Sequence, residues 1–131
     1  KKREILNVIK NKKNLQIITK IVHPIVQKNL DFFIKKNKFN KLIIFDIPLF
    51  LENKINKKND ILIFVDAKKS EINKRLKKRK NYNKKIIKIL KSQQLPLKLK
   101  KEKSDYIIKN NFFISPVKKH VKIIKQKILY K

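Results

Sequence analysis

The chain has 131 residues, enough for one domain with a buried core, and 41% of them are hydrophobic. It carries a formal charge of +29 and contains neither glycine nor cysteine. This composition excludes a disulfide framework, a thiolate metal site and any glycine-rich phosphate loop, because such loops need a backbone that only glycine permits. No apolar run approaches the ~18 residues of a membrane span, and the start lacks the apolar core of a signal peptide, so we expect a cytoplasmic protein.

Apolar residues at helical spacing predict a first helix over about 22–38, beginning around His23-Pro24, because proline is tolerated in a first turn. Two short, continuous apolar runs follow, at residues 42–45 and 61–65, and predict buried parallel strands. Asp46 and Asp66 end these runs, where the carboxyl end of a strand opens into a crevice.

In the second half of the chain, predicted helices again alternate with a short predicted strand. Helical periodicity predicts one helix near Ser70, which is a plausible cap, and another around residues 86–90. A weaker strand is predicted at residues 106–108, and a C-terminal helix over 116–130. Helices that alternate with short buried strands predict an α/β fold.

Two motifs stand out. In residues 45–52 a buried strand runs into an acid, then a proline, bulky apolar residues and a glutamate. In the helix that follows the second strand, Arg75 and Arg79 stand at i and i+4, which would place them on one helix face. Only three of the 38 basic residues are arginines, so two of them at this spacing favour a function.

Five features in register resemble the dephospho-CoA kinase family over roughly residues 3 to 111. They are the His23-Pro24 pair, the motif of residues 48–52, Asp60 ahead of the second strand, the Arg75 and Arg79 pair, and the closing segment from Gln94 through Ser104-Asp105 to Asn110. The chain departs from the family pattern at Lys80, where an acid is usual, and at residues 111–113, where a glycine is common.

The resemblance implies a P-loop kinase-like α/β fold, with a three-layer parallel sheet and flanking helices. It implies a single partial kinase domain over 1–131, with a substrate-side helix at about 22–38, a helical lid region at about 70–103 and a C-terminal helix at 116–130. Nothing in the chain matches the family's first strand and Gly-Lys-Ser/Thr loop. We therefore expect the first strand and the P-loop to be missing, and the fragment to be inactive alone.

The implied reaction moves the γ-phosphate of ATP onto the ribose 3′-hydroxyl of dephospho-CoA, the last step of coenzyme A synthesis, with Mg²⁺ as the metal. By resemblance, Arg75 and Arg79 are catalytic lid residues that also contact ATP, and Asn110 lies near adenine. The base and the metal ligands are expected in the missing segment. The resemblance assigns six residues to the substrate side: His23, Pro24, Asp46, Pro48, Leu49 and Glu52.

The residues taken alone leave other interpretations open. His23 could pack or cap a helix turn, and Glu52 could tether the following helix. Arg75 and Arg79 could form a solvated pair on a lysine-rich helix.

Other functions are also open: a different P-loop small-molecule or nucleotide kinase, a basic nucleic-acid-binding module, or a non-catalytic structural or regulatory fragment. The charge of +29 suits nucleic acid. However, the basic residues are almost all lysine, they spread along the whole chain, and they accompany the asparagine and isoleucine of A/T-rich codons. The resemblance implies dephospho-CoA and ATP as partners, and we expect no specific nucleic acid and no membrane.

Overall fold

The computed structural model describes residues 11–130, which form five α-helices and two β-strands. These residues group into two compact units. The first contains residues 11–48 together with Lys85–Ser92, and the second contains Leu49–Lys84 together with residues 93–130. The prediction of a single partial kinase domain spans both units and stays a prediction.

Helix α1, Lys12–Lys36, is the longest element of the first unit. The side chain of Asn11 caps its start by accepting a hydrogen bond from the Lys13 N–H at 2.9 Å. At its end, the Asn37 side chain donates to the Phe33 carbonyl oxygen at 2.8 Å.

The predicted start of this helix at His23-Pro24 is wrong, because α1 begins at Lys12 and carries Pro24 in its interior. Proline lacks an N–H and removes one helical hydrogen bond, which weakens a helix without having to end it. The asparagine cap and the absence of glycine allow the long helix to continue through this position.

The predicted strand at residues 42–45 is also wrong, because residues 42–47 belong to no strand or helix of the structure. The described sheet has two strands, and this segment is not one of them. Within this segment the Phe45 ring meets the Phe33 ring of α1 edge to face, with centroids 6.1 Å apart, whereas Ile44 is 79% exposed. A strand requires a partner for its backbone hydrogen bonds, which an apolar run alone does not supply.

The sheet of the second unit confirms the other two predicted strands, which pair in parallel. The predicted burial of the first of them is wrong, because Ile63 and Val65 are 42% and 55% exposed. Strand β1, Ile63–Asp66, lies beside β2, Tyr106–Lys109, with Ile63 opposite Tyr106 and Asp66 opposite Lys109. Asp105 anchors the entry to the sheet, because its carboxylate accepts the Leu62 N–H at 2.8 Å while its own N–H donates to the Leu62 carbonyl at 2.9 Å.

Four further helices follow α1 along the chain: α2, Lys69–Lys77; α3, Lys84–Ser92; α4, Leu97–Glu102; and α5, Ile114–Leu129. The first of them has Lys68 at its N-cap with no side-chain hydrogen bond, so the predicted Ser70 cap is wrong. Helix α5 begins two residues earlier than predicted and has Pro116 in its first turn, a position that proline favours. The chain therefore has the mixed α/β architecture that was predicted, with a small parallel sheet and flanking helices.

The core of the second unit lies between the sheet and α5. This helix packs against β2, and the buried side chains there are Ile108 of the strand and Ile124 of the helix. Among the described side chains of the first unit, Leu30 of α1 is buried. Within residues 11–130, no helix combines the length and apolarity needed to cross a membrane.

Candidate functional site

The carboxyl ends of the two parallel strands form the edge of the sheet where ligands bind in open α/β folds. Asp66 is the last residue of β1, and Asn110 follows β2. The Asn110 N–H donates to the Asp66 carbonyl at 2.7 Å, which carries the strand pairing one residue past the sheet. The Asp66 carboxylate pairs with the Lys101 ammonium of α4 at 3.1 Å, with both side chains partly exposed.

The loop after β2 turns sharply at Phe112. Its backbone has a φ of 66°, a left-handed conformation that is rare for a bulky residue. The Asn110 side-chain oxygen accepts the Phe112 N–H at 2.8 Å and so stabilises the turn. The ring of Phe112 lies under the Arg75 guanidinium, whose central carbon is 4.1 Å from the ring centroid. Two predicted site residues, Arg75 and Asn110, therefore meet at this edge through Phe112.

Arg79 lies outside α2, which ends at Lys77, so the prediction that both arginines share one helix face is wrong. Its N–H donates to the Leu76 carbonyl and its carbonyl accepts the Tyr82 N–H, as in a turn. Like charges four residues apart destabilise a helix, and a further turn would set Lys74 against Lys78 and Arg75 against Arg79.

Glu52 connects two segments of the second unit. Its carboxylate accepts the Leu95 N–H at 2.9 Å and pairs with the Lys100 ammonium of α4 at 2.6 Å. The side chains of Glu52 and Lys100 are 9% and 20% exposed, so this pair is mostly shielded from water. Burial raises the pKa of Glu52, but the hydrogen bonds from Lys100 and Leu95 outweigh it, and the net pKa lies below its ordinary value.

The apolar motif before Glu52 is a tight turn. Leu49 adopts a φ of 57°, and its carbonyl accepts the Asn53 N–H at 3.0 Å. Non-glycine residues in this conformation are strained, and such residues concentrate at functional sites. Leu49 is itself a predicted site residue, and Phe112, which also has a positive φ, lies two residues after another, Asn110.

The remaining predicted residues belong to the first unit. His23 is half-buried and Pro24 is exposed, and both lie on α1. Asp46 and Pro48 are exposed at the end of the unpaired apolar run. The structure therefore brings together Arg75 and Asn110 and places Glu52 against α4, whereas the substrate-side roles of the other residues stay predictions.

Sequence reasoning missed two residues of this edge, Lys101 and Phe112. Lys101 carries no signal of its own, since it stands in a lysine-rich helix beside Lys98 and Lys100. The sequence offers one indication for Phe112, which is its place two residues after Asn110. The positive φ that directs its ring cannot be predicted from the sequence, because the residue is apolar. Among residues 11–130, no three His, Asp or Glu side chains cluster as metal ligands.

The parallel strand pair, with an arginine and an asparagine at its carboxyl edge, defines an α/β protein. A sequence profile of the dephospho-CoA kinase family matches residues 2–115. The chain therefore belongs to the dephospho-CoA kinase family.

Curated relatives support this assignment. A dephospho-CoA kinase of Bartonella quintana is 32% identical over 103 residues, which cover 77% of this chain and 53% of the relative. One from the Wolbachia of Brugia malayi is 37% identical over 90 residues, covering 67% of this chain and 46% of the relative. The chain thus spans about half the length of these relatives. No solved structure matches the chain.

Proposed function

We propose that these residues work within a dephospho-CoA kinase, in which the γ-phosphate of ATP passes to the ribose 3′-hydroxyl of dephospho-CoA. The hydroxyl oxygen bonds to the γ-phosphorus, the bond from that phosphorus to the β-γ bridging oxygen breaks, and ADP leaves. The observation that carries the proposal is the Arg75 guanidinium at the carboxyl edge of a parallel sheet, in a chain of this family.

Arg75 suits the stabilisation of a transferring phosphoryl group. Such transfer depends mainly on positioning and on charge neutralisation, and a guanidinium presents several N–H donors in one plane to phosphate oxygens. Arg79, in the turn after α2, would add a second cation from the same lid segment. Asn110 would lie beside the adenine, at the end of β2.

On the substrate side, we assign the binding of dephospho-CoA to five residues: His23, Pro24, Asp46, Pro48 and Leu49. For Glu52 the contacts favour a different role from substrate binding. Its carboxylate is engaged by Lys100 and by the Leu95 N–H, so it would hold α4 in place beside the sheet. That placement in turn sets Lys101 against Asp66 at the carboxyl edge.

The 131 residues contain no glycine, so the phosphate loop of this reaction has to come from polypeptide outside them. By family, we also expect the Mg²⁺ ligands and the base that accepts the hydroxyl proton to lie outside these residues. We therefore infer that the purified 131-residue chain does not phosphorylate dephospho-CoA. ATP-dependent coenzyme A formation above background by this chain would contradict that inference.

A chimera tests the proposed function directly. The aligned 103-residue segment of the Bartonella quintana relative is replaced by the matching residues of this chain, and ATP-dependent coenzyme A formation is measured. The chimera is expected to be active, and Arg75→Ala in the chimera is expected to lower kcat by about 10²-fold. Lys74→Ala is the matched control, because it removes a neighbouring exposed cation from the same helix. A folded chimera without activity, or equal losses for the two variants, would contradict the proposal.

We include a cytoplasmic location and the lack of a specific nucleic-acid partner in this proposal. Lysines spread along the whole chain act as a solvated coat and bind any polyanion in a salt-dependent way.

A further inference from the structure

Arg75 is held by an aromatic ring rather than by an acid. Its guanidinium lies over the Phe112 ring at 4.1 Å, and the structure records no ion pair between Arg75 and any described acid. The side chain is otherwise exposed on α2. An exposed arginine without a fixed contact samples many rotamers, so the ring is the contact that restricts this one.

The kind of contact matters for what Arg75 is able to bind. A ring engages the flat face of the guanidinium, whereas its N–H donors point outward in the plane of the group. A carboxylate partner would occupy those donors and neutralise the charge. Stacking on Phe112 therefore restricts Arg75 while leaving its charge and its donors available to an anion.

Phe112 is itself fixed to the sheet. The Asp66 carbonyl accepts the Asn110 N–H at 2.7 Å, and the Asn110 side chain accepts the Phe112 N–H at 2.8 Å. This chain of contacts holds Phe112 at a φ of 66°, a conformation that bulky residues otherwise avoid. The neighbouring Phe113 is 70% exposed and shares none of these contacts, so the arrangement is particular to Phe112.

We propose that Phe112 is a positioning residue that stacks on Arg75 and holds its guanidinium at the carboxyl edge of the sheet, ready to bind phosphate. The stack itself is independent of the reaction, whereas its use in phosphate binding depends on the function proposed above.

The stack is tested by NMR on the 131-residue chain. With three arginines in the sequence, the side-chain Nε–H signals form a small set, and Arg75→Lys identifies the one from Arg75. Protons above an aromatic ring shift upfield, so this signal is expected upfield of the Arg79 signal. Phe112→Tyr should preserve the shift and Phe112→Leu should abolish it. Phe113→Leu is the matched control and should leave it unchanged.

An Arg75 signal that is the same in the parent chain and in folded Phe112→Leu overturns the proposal, as does an equal change in Phe113→Leu. If circular dichroism shows that Phe112→Leu is unfolded, the stack is tested in the parent chain instead. A nuclear Overhauser contact between the Arg75 δ protons and the Phe112 ring supports the stack, and its absence overturns it.

The functional part is measured in the chimera with the Bartonella quintana relative. Phe112→Leu should lower kcat/KM for ATP by about two- to five-fold, which corresponds to the free energy of an exposed cation–π contact. Phe112→Tyr should keep kcat/KM at the parent value. In the Arg75→Ala background, Phe112→Leu should have no further effect, which a merely structural role would not produce. A chimera that is inactive with every variant contradicts the proposed kinase function, whereas equal activity of Phe112→Leu and Phe113→Leu overturns only the role of Phe112.

Discussion

The Glu52–Lys100 pair is mostly shielded from water, and its removal gives a sharp prediction. Glu52→Gln keeps an oxygen that accepts the Leu95 N–H but removes the charge opposite Lys100. Glu52→Ala removes both interactions. Because the two substitutions differ in what they leave unpaired, comparing them separates the charge from the hydrogen bond.

The expected losses follow from these contacts. A hydrogen bond to a charged group contributes about 1.5–3 kcal/mol, and Lys100, at 20% exposed, regains part of this from water. We therefore expect Glu52→Gln to lower the free energy of unfolding by about 1–2 kcal/mol, and Glu52→Ala by about 2–4 kcal/mol. Glu102→Gln is the matched control, because Glu102 is 58% exposed and 4.0 Å from Lys98; its loss should stay below about 0.5 kcal/mol.

The difference between the parent chain and Glu52→Gln should depend on pH. The folded pKa of Glu52 lies below its ordinary value of 4.5, so the carboxylate stabilises the folded state fully above pH 4.5. This contribution is lost as the pH falls through the folded pKa. The difference in the free energy of unfolding between the parent chain and Glu52→Gln should therefore be constant near neutral pH and decrease below about pH 4.5.

Urea unfolding followed by far-UV circular dichroism measures these losses at pH 7 and over a series of lower pH values. Hydrogen exchange at the Leu95 amide gives a local reading, and its protection should fall in Glu52→Ala but persist in Glu52→Gln. Equal losses for Glu52→Gln and Glu102→Gln would refute the reasoning, as would a gap that widens on acidification.

Two further predictions concern single residues of the fold. Pro24→Ala should stabilise α1 by about 1–3 kcal/mol, because it restores an N–H inside the helix, and thermal unfolding followed at 222 nm checks this; a lower melting temperature would contradict it. Asp105→Ala should lower the free energy of unfolding by about 1–2 kcal/mol, because the Leu62 N–H loses its acceptor, whereas Asp105→Asn should recover most of the loss. Urea midpoints that do not distinguish the two Asp105 variants would contradict the second prediction.

The sequence predicts the parallel sheet well but fails for the apolar run at 42–45. That run and the run at 61–65 have the same pattern, four or five apolar residues followed by an acid. Only the second has a described partner, β2, with which to form a ladder. Pairing is a long-range property, so an apolar run alone does not determine a strand. Similarly, Pro24 suggests a helix start, whereas the long surrounding helix tolerates the lost hydrogen bond.

The candidate site was only partly readable. Arg75 and Asn110 could be found because arginine is scarce in this chain and because Asn110 follows a predicted strand. The connection between these two residues through Phe112 could not be predicted from the sequence. It depends on the positive φ of Phe112 and on a ring contact between residues 37 positions apart. Glu52 illustrates the reverse case: its motif was visible, but its partner Lys100 is one lysine among many, and only the structure distinguishes it.

The most direct test of the account is the rate of ATP-dependent coenzyme A formation by the chimera, measured with and without Arg75→Ala. The account predicts an active chimera that loses about 10²-fold in kcat with Arg75→Ala and little with Lys74→Ala. A chimera that folds but forms no coenzyme A, or one in which Arg75→Ala is as active as Lys74→Ala, would contradict it.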